Sequence, residues 1–359
     1  MRTVKIAIIG CGGIANGKHM PALSKLDNVQ MVAFCDLIKE KAQDAADAYG
    51  TPNARVYTDY EELLRKEDEV EVVHVLTPNR SHSVITVAAL EAGKHVMCEK
   101  PMAKDVEGAR KMVATAKKTG KKLTVGYQGR SRADSLYLKQ ICDAGDLGEI
   151  YYARAIALRR RAVPTWGVFL NEYEQGGGPL IDIGTHALDL TLWMMNNYEP
   201  ELVVGTKYRK LADTKNAANA WGPWDPEKFT VEDSAFGFIR FKNGATCVLE
   251  SAWALNIADP RESVCMLCGD KGGADMLDGL RLNGERFGKT WLNKPDVNMA
   301  GVAFYDASGE KPEDVEAAQW ISHVVNDTPL RVLPEQALVV TEILDAIYRS
   351  AASGEAIKL

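Results

Sequence analysis

Residues 4–15 read VKIAIIGCGGIA, a short, mostly apolar run that stops at a cluster of glycines. A run of this length fits a strand covered on both faces. Gly10, Gly12 and Ala15 then fall in a G-x-G-x-x-A pattern, and each small residue answers a separate steric demand. The first allows a tight turn and the second lets the backbone approach a pyrophosphate. The third lets the following helix pack close to its strand, and amides at that helix's N-terminus would meet the phosphates. Alone the pattern is weak, because glycine-rich loops are common; its surroundings carry the reading.

After a helical stretch over about 14–25, VQMVAFCD forms a second strand ending in Asp36. A carboxylate there can accept hydrogen bonds from both ribose hydroxyls of an adenosine and would repel a 2′-phosphate. Leu37 and Ile38 follow, Lys39 is the only nearby cation, and no arginine is at hand. NAD is therefore favoured over NADP. The alternation continues through EELLRKE (helix), EVVHVLT (strand), SVITVAALEAG (helix), KHVMCEKP (strand and loop), VEGARKMVATAKKTG (helix) and KLTVGY (strand). Repeats at this spacing predict a parallel, doubly wound sheet. Ligands bind such sheets beyond the carboxyl ends of the strands, where TPNRSH (77–82) and CEKP (98–101) fall. The cofactor-binding candidates are accordingly Gly10, Gly12, Gly13, Ile14 and Asp36, with Thr77, Asn79, His82, Glu99 and Lys100 from the two loops. Lys100 has a bland reading as a surface lysine before a turn proline, but its place on the ligand edge gives the functional reading equal standing.

The chain's 359 residues are enough for two domains, and 46% hydrophobic with 26% charged residues is an ordinary globular composition. A net charge of −6, from 43 basic and 49 acidic residues, offers no nucleic-acid or anionic-membrane surface. MRTVKIAIIG enters a strand-like segment with no leader pattern, and no apolar run approaches the ~18 residues of a membrane span. Seven scattered cysteines fit reduced thiols in a cytoplasmic protein. Cys265-x-x-Cys268 lies in a strand-like segment, where positions three apart face opposite ways, and no second pair completes a metal site.

GCGGIA, TPNRSH, EKPMA (99–103), VGYQGR (125–130) and GGGPLIDIGTHALD (176–189) together resemble the Gfo/Idh/MocA family, the glucose–fructose oxidoreductase and inositol dehydrogenase family, in order and approximate spacing over nearly the whole chain. The resemblance implies an α/β chain. A Rossmann NAD-binding domain (1–127) would precede an α/β domain (128–359) whose large, mostly antiparallel open sheet binds substrate and assembles a homodimer or homotetramer. It implies that Lys100, Asp182 and His186 form the catalytic group beside the nicotinamide, with a cis peptide at Pro101. The chain departs from the commonest pattern at Gln128 and Ser131, and 158–175 is longer and more basic than expected.

From about residue 150 the texture turns strand-rich, with EIYYARAIALRRR, LVVGTKYRKL and a hairpin closed by Asn243-Gly244. A last helix runs from near Pro334 to Gly354, and 212–230 reads as a surface loop. Arg159 to Arg161 read as ion pairs on a sheet face, or alternatively as contacts to substrate beside Trp166, a sugar-stacking platform. Tyr127, Gln128, Arg130, Trp166, Asp182 and His186 are the substrate-binding candidates. In GGGPLIDIGTHALDL, Pro179 suits a first helical turn and the three glycines would let the backbone pass close to a ligand. Asp182 and His186, four apart, share one face of an otherwise apolar helix. They are either a satisfied core couple or a catalytic pair, and Lys100 at the same cleft favours the latter.

Oxidising a secondary alcohol needs a base for the hydroxyl proton, which histidine supplies near neutrality, and an ammonium would steady the developing alkoxide. The expected activity is NAD(H)-dependent oxidation or reduction of a ring secondary alcohol in a sugar, glycoside or inositol-like polyol. An NAD-retaining, redox-neutral glycosidase and a non-catalytic sugar or nucleotide sensor are the alternatives. No metal is expected.

Overall fold

β1 (Val4–Ile9) is the strand that the opening run predicts, buried at every position but Lys5. The computed structural model describes residues 2–297 and 311–359. β1 pairs in parallel with β2 (Val29–Cys35) on one side and β4 (Val72–Val75) on the other, with Ile6 opposite Val72 and Ile9 opposite Cys35. β3 (Arg55–Tyr57), β5 (His95–Cys98) and β6 (Leu123–Val125) complete a six-stranded, wholly parallel sheet of order β3-β2-β1-β4-β5-β6. That order reverses direction between β1 and β4, and in open α/β sheets ligands bind at such a reversal.

The chain divides into two units, Met1–Ser131 with Glu310–Leu338, and Arg132–Gly309 with Val339–Leu359. The chain passes between these units three times, because it returns to the first unit late in the sequence. The amphipathic helix Pro312–Asn326 buries Trp320, Ile321 and Val324 in the cluster built on Ile6, Ile8, Met20 and Leu23. Part of the expected second domain, 298–310, lies outside the described residues.

The second unit is a nine-stranded sheet: β7 (Ile150–Leu158), β8 (Pro200–Tyr208), β9 (Ser234–Phe241), β10 (Thr246–Ala252), β11 (Arg261–Gly269), β12 (Gly272–Asp275), β13 (Arg281–Arg286), β14 (Lys289–Asn293) and β15 (Ile357–Lys358). Its order is β14-β13-β12-β11-β7-β10-β9-β8-β15, antiparallel except where β7 meets β10. The β9–β10 hairpin turns at Asn243-Gly244, with Gly244 at φ +87°.

One face of this sheet carries helices. The helix Thr185–Met195 lies on β7 and β11. The end of the helix Pro334–Ser353 lies so near the sheet that a Cβ at Gly205 would stand 2.6 Å from the Ile347 carbonyl oxygen. Gly205 also donates its N–H to the Ser350 hydroxyl at 2.9 Å. Side chains alternate across a strand, so Val204 and its partner Phe238 point away from that helix and remain 42% and 44% exposed. The stretch 212–230, read as a surface loop, is irregular but anchored, with Trp224 and Phe229 buried.

Candidate functional site

In the first unit the glycine loop meets the steric demands of a dinucleotide. Gly10 has φ +95°, and a Cβ there would stand 2.6 Å from the Leu76 carbonyl oxygen, so only glycine lets the loop pass the end of β4. Cβ atoms at Gly12 and Gly13 would meet nothing within 4 Å, leaving room for a ligand against the backbone. Asp36, at the end of β2, accepts the Cys11 N–H through Oδ2 and the Ile38 N–H through Oδ1, both at 2.9 Å. The carboxylate is thereby held at the mouth of the glycine loop. Leu37 beside it is 91% exposed, an apolar surface without an arginine for a 2′-phosphate. These residues fit NAD.

TPNRSH is not wholly a loop, because the helix Asn79–Glu91 starts inside it. His82 is buried, with ring nitrogens 2.8 Å from the Pro101 carbonyl oxygen and 2.7 Å from that of Thr77. It ties the two ligand-edge segments to each other. Burial pushes its imidazole down, and the two carbonyls pull it partly back.

The Lys100–Pro101 peptide is cis, as the resemblance implies. Lys100 donates its backbone N–H to Glu99 Oε2 at 2.9 Å. Glu99, expected among the cofactor contacts, is instead turned into the protein. Its Oε1 accepts from Lys18 Nζ at 2.8 Å and lies 2.8 Å from His19 Nε2. Lys18 also pairs with Glu316 at 2.9 Å, and His19 Nδ1 lies 3.3 Å from His74 Nδ1. This buried network went unread in the sequence. Burial alone would push the Glu99 carboxyl up, but Lys18, His19 and Lys100 outweigh it and hold the group well below the usual carboxylate range. For Lys18, Glu316 and Glu99 likewise overcome burial and raise the ammonium above its ordinary value.

Tyr127 is buried and Gln128 half-buried. Arg130, read as a substrate contact, is fully buried and donates through Nη1 to the Arg331 carbonyl at 2.8 Å and Gln336 Oε1 at 2.6 Å. The structure gives it a scaffolding role.

In the second unit a π-helical turn, Leu180–Gly184, leads into the helix Thr185–Met195. Every residue from Gly177 to Leu192 is buried except Asp182 and His186. Asp182 Oδ2 accepts the indole N–H of the buried Trp253 at 3.0 Å, which sets the carboxylate's orientation.

The glycines ahead of the helix serve packing, which corrects the expectation that they admit a ligand. Gly176, at φ +83°, ends the short helix Glu172–Gln175. A Cβ at Gly177 would stand 2.0 Å from the Tyr348 hydroxyl oxygen, and one at Gly178 would stand 2.4 Å from the Glu232 carbonyl oxygen. The buried Glu232 carboxylate accepts from the N–H of Gly178 at 3.0 Å, the N–H of Leu180 at 3.2 Å and the Tyr348 hydroxyl at 2.8 Å. It thus clamps the start of the segment that carries Asp182 and His186. Burial pushes the Glu232 carboxyl up, and these donors pull part of the way back.

Arg159 reaches Glu262 through two contacts of 2.6 Å, the ion-pair reading. Arg161 donates instead to Asn256 Oδ1 at 2.6 Å and the Leu255 carbonyl at 3.1 Å. Cys265 and Cys268 are free thiols, pushed up by burial. Among the described residues no group of side chains could hold a metal ion, and no helix is long and apolar enough to cross a membrane.

Residues 4–127 match the model of the oxidoreductase family with an NAD-binding Rossmann fold, and residues 135–275 match the GFO/IDH/MocA C-terminal domain. The chain belongs to the GFO/IDH/MocA family. It is 37% identical to a D-glucoside 3-dehydrogenase of Escherichia coli strain K12, over 99% of this chain and 97% of the relative. It is 31% identical to an inositol 2-dehydrogenase of Salmonella typhimurium strain LT2, over 54% of this chain and 55% of the relative. A crystal structure of aldose–aldose oxidoreductase from Caulobacter crescentus superposes with a TM-score of 0.80 at 25% identity, covering 100% of both chains. As a member of this family, the chain is an NAD-dependent oxidoreductase built on a Rossmann unit and a mostly antiparallel α/β unit.

Proposed function

We propose that this enzyme oxidises a ring secondary alcohol of a sugar, glycoside or inositol-like polyol, with Lys100, Asp182 and His186 as its catalytic residues. The observation that carries the reading is that Asp182 and His186 alone escape burial between Gly177 and Leu192, in a chain whose other unit is an NAD-binding Rossmann fold. An imidazole and a carboxylate left accessible in an otherwise buried stretch are placed to meet a ligand. His186 takes the hydroxyl proton, a transfer that suits an imidazole near neutral pH. The Lys100 ammonium stabilises the alkoxide as it forms. Asp182, oriented by Trp253, fixes the imidazole's rotamer and tautomer. Bound NAD supplies the hydride acceptor. The backbone at Gly12 and Gly13 and the Asp36 carboxylate would hold its pyrophosphate and ribose.

The D-glucoside 3-dehydrogenase relative directs the first substrate choice to glucosides. A screen of free sugars, inositols and glycosides with NAD is expected to show NADH accumulating with a glucoside. No NADH with any of them would overturn the reading.

The open face of the nine-stranded sheet belongs to the same proposal. Val204 and Phe238 lie there as exposed neighbours, with Tyr208 41% exposed further along β8. Covering such a face removes apolar area from water, and we assign it to self-association as a homodimer or homotetramer. Sedimentation of the wild type should show that oligomer, and Phe238→Glu should shift it toward smaller species. A monomeric wild type would contradict the assignment. The seven cysteines are all free thiols, which fits the reducing cytoplasm as the enzyme's location.

A further inference from the structure

Two segments of the second unit, 158–175 and 212–230, are stitched together. Asn219 accepts the Val163 N–H through Oδ1 at 2.8 Å and donates through Nδ2 to the Val163 carbonyl at 2.9 Å. The Ala220 N–H reaches the Arg161 carbonyl at 3.1 Å, and the Thr165 hydroxyl donates to the Trp221 carbonyl at 3.0 Å. These bonds fix two indoles as a corner. The rings of Trp166 and Trp221 lie 4.8 Å apart at 83°, yet the residues remain 51% and 45% exposed. The Arg159 guanidinium sits 5.5 Å from the Trp221 ring. Its Nε and Nη2 donate to Glu262 and its Nη1 to the Ala162 carbonyl, so it steadies the indole.

The corner continues inward to the helix that carries Asp182. Trp166 meets Phe169 edge-on at 5.9 Å, Phe169 meets Trp253 at 6.4 Å, and the Trp253 indole donates to Asp182. Leaving two large apolar rings half in water forgoes stabilisation. Holding them rigid while exposed is the mark of a preorganised binding surface, since a bound partner then loses little freedom in the rings it meets. Tryptophan is also the residue most enriched where binding energy concentrates. A pyranose ring suits such a corner, being apolar on its faces and polar at its rim, with its C–H groups against the indoles and its hydroxyls in water.

We propose that Trp166 and Trp221 form a subsite for a second sugar ring beside Asp182 and His186, so that the preferred substrate is a disaccharide rather than a simple alkyl glycoside. This rests on the proposed function and narrows its substrate class.

The test compares cellobiose and maltose with methyl glucoside, using the full chain with NAD, in the wild type and in Trp166→Ala, Trp221→Ala and Trp166→Phe. For the wild type, kcat/KM should be about tenfold higher with the better disaccharide. Each alanine variant should lose about tenfold more in kcat/KM on the disaccharide than on methyl glucoside, while Trp166→Phe retains most of the preference. Equal losses on both substrates, no loss on either, or a changed oligomeric mass in the alanine variants would overturn the subsite. If no sugar reduces NAD, the proposed function fails, and calorimetry decides the subsite separately. Disaccharide binding that vanishes in the double alanine variant upholds it, and no binding to the wild type overturns it.

Discussion

Replacing Lys100 with methionine is expected to lower kcat and kcat/KM together by about a thousandfold, with the dissociation constant for NAD changed by no more than about twofold. The methionine keeps much of the side chain's length and apolar stem and removes only the ammonium. If that charge acts on the forming alkoxide, its loss is felt in the transition state and little in the ground state, so both parameters fall alike. The loop itself should survive, because it is held by contacts that do not involve the ammonium. These are the Lys100 N–H on Glu99 and the Pro101 carbonyl on His82. NAD titration followed by steady-state kinetics checks both halves. Loss of NAD binding in the variant would remove Lys100 from the chemistry and make it a cofactor anchor.

Glu99→Gln should cost about 3 kcal/mol of stability, because it leaves buried Lys18 with Glu316 alone and takes away the carboxylate beside His19. The pH dependence has a definite sign. Glu99 is held well below its ordinary value in the folded protein, so its contribution is present above its unfolded pKa of roughly 4.3 and is lost as the pH falls through the folded value. Lys18 is raised in the folded protein, so its contribution is full below roughly pH 10.4 and is lost as the pH rises through the folded value. The gap between wild type and variant should therefore be widest between about pH 5 and pH 10 and narrow on both sides. Thermal melts across that range measure it. A gap that widens steadily toward acid would contradict the ion-pair account.

The Rossmann half was legible because each of its signals is local. Buried parallel strands read as apolar runs, and Gly10 is demanded by its own φ and by the carbonyl of Leu76. The loss of pattern came where distant segments meet. Lys18 and Glu99 are 81 positions apart, and nothing in either neighbourhood announces the other. The helix Pro312–Asn326 shows an apolar stripe, but a stripe does not say which unit it will cover.

The site divides the same way. Asp182 and His186 stood out as polar groups in an apolar helix, and burial isolates those two. The reason for the neighbouring glycines lay in Tyr348 and Glu232, which approach from far along the chain. Arg130 looked available in sequence and is committed to Arg331 and Gln336, more than two hundred residues later.

In the proposed reaction the enzyme removes a hydride and a proton from a ring carbinol and leaves the glycosidic bond intact. A single turnover with stoichiometric NAD and methyl glucoside, analysed by absorbance and mass spectrometry of the same sample, addresses it directly. One equivalent of NADH and a glycoside lighter by two hydrogens is the predicted result. Release of methanol with no NADH accumulating would contradict it.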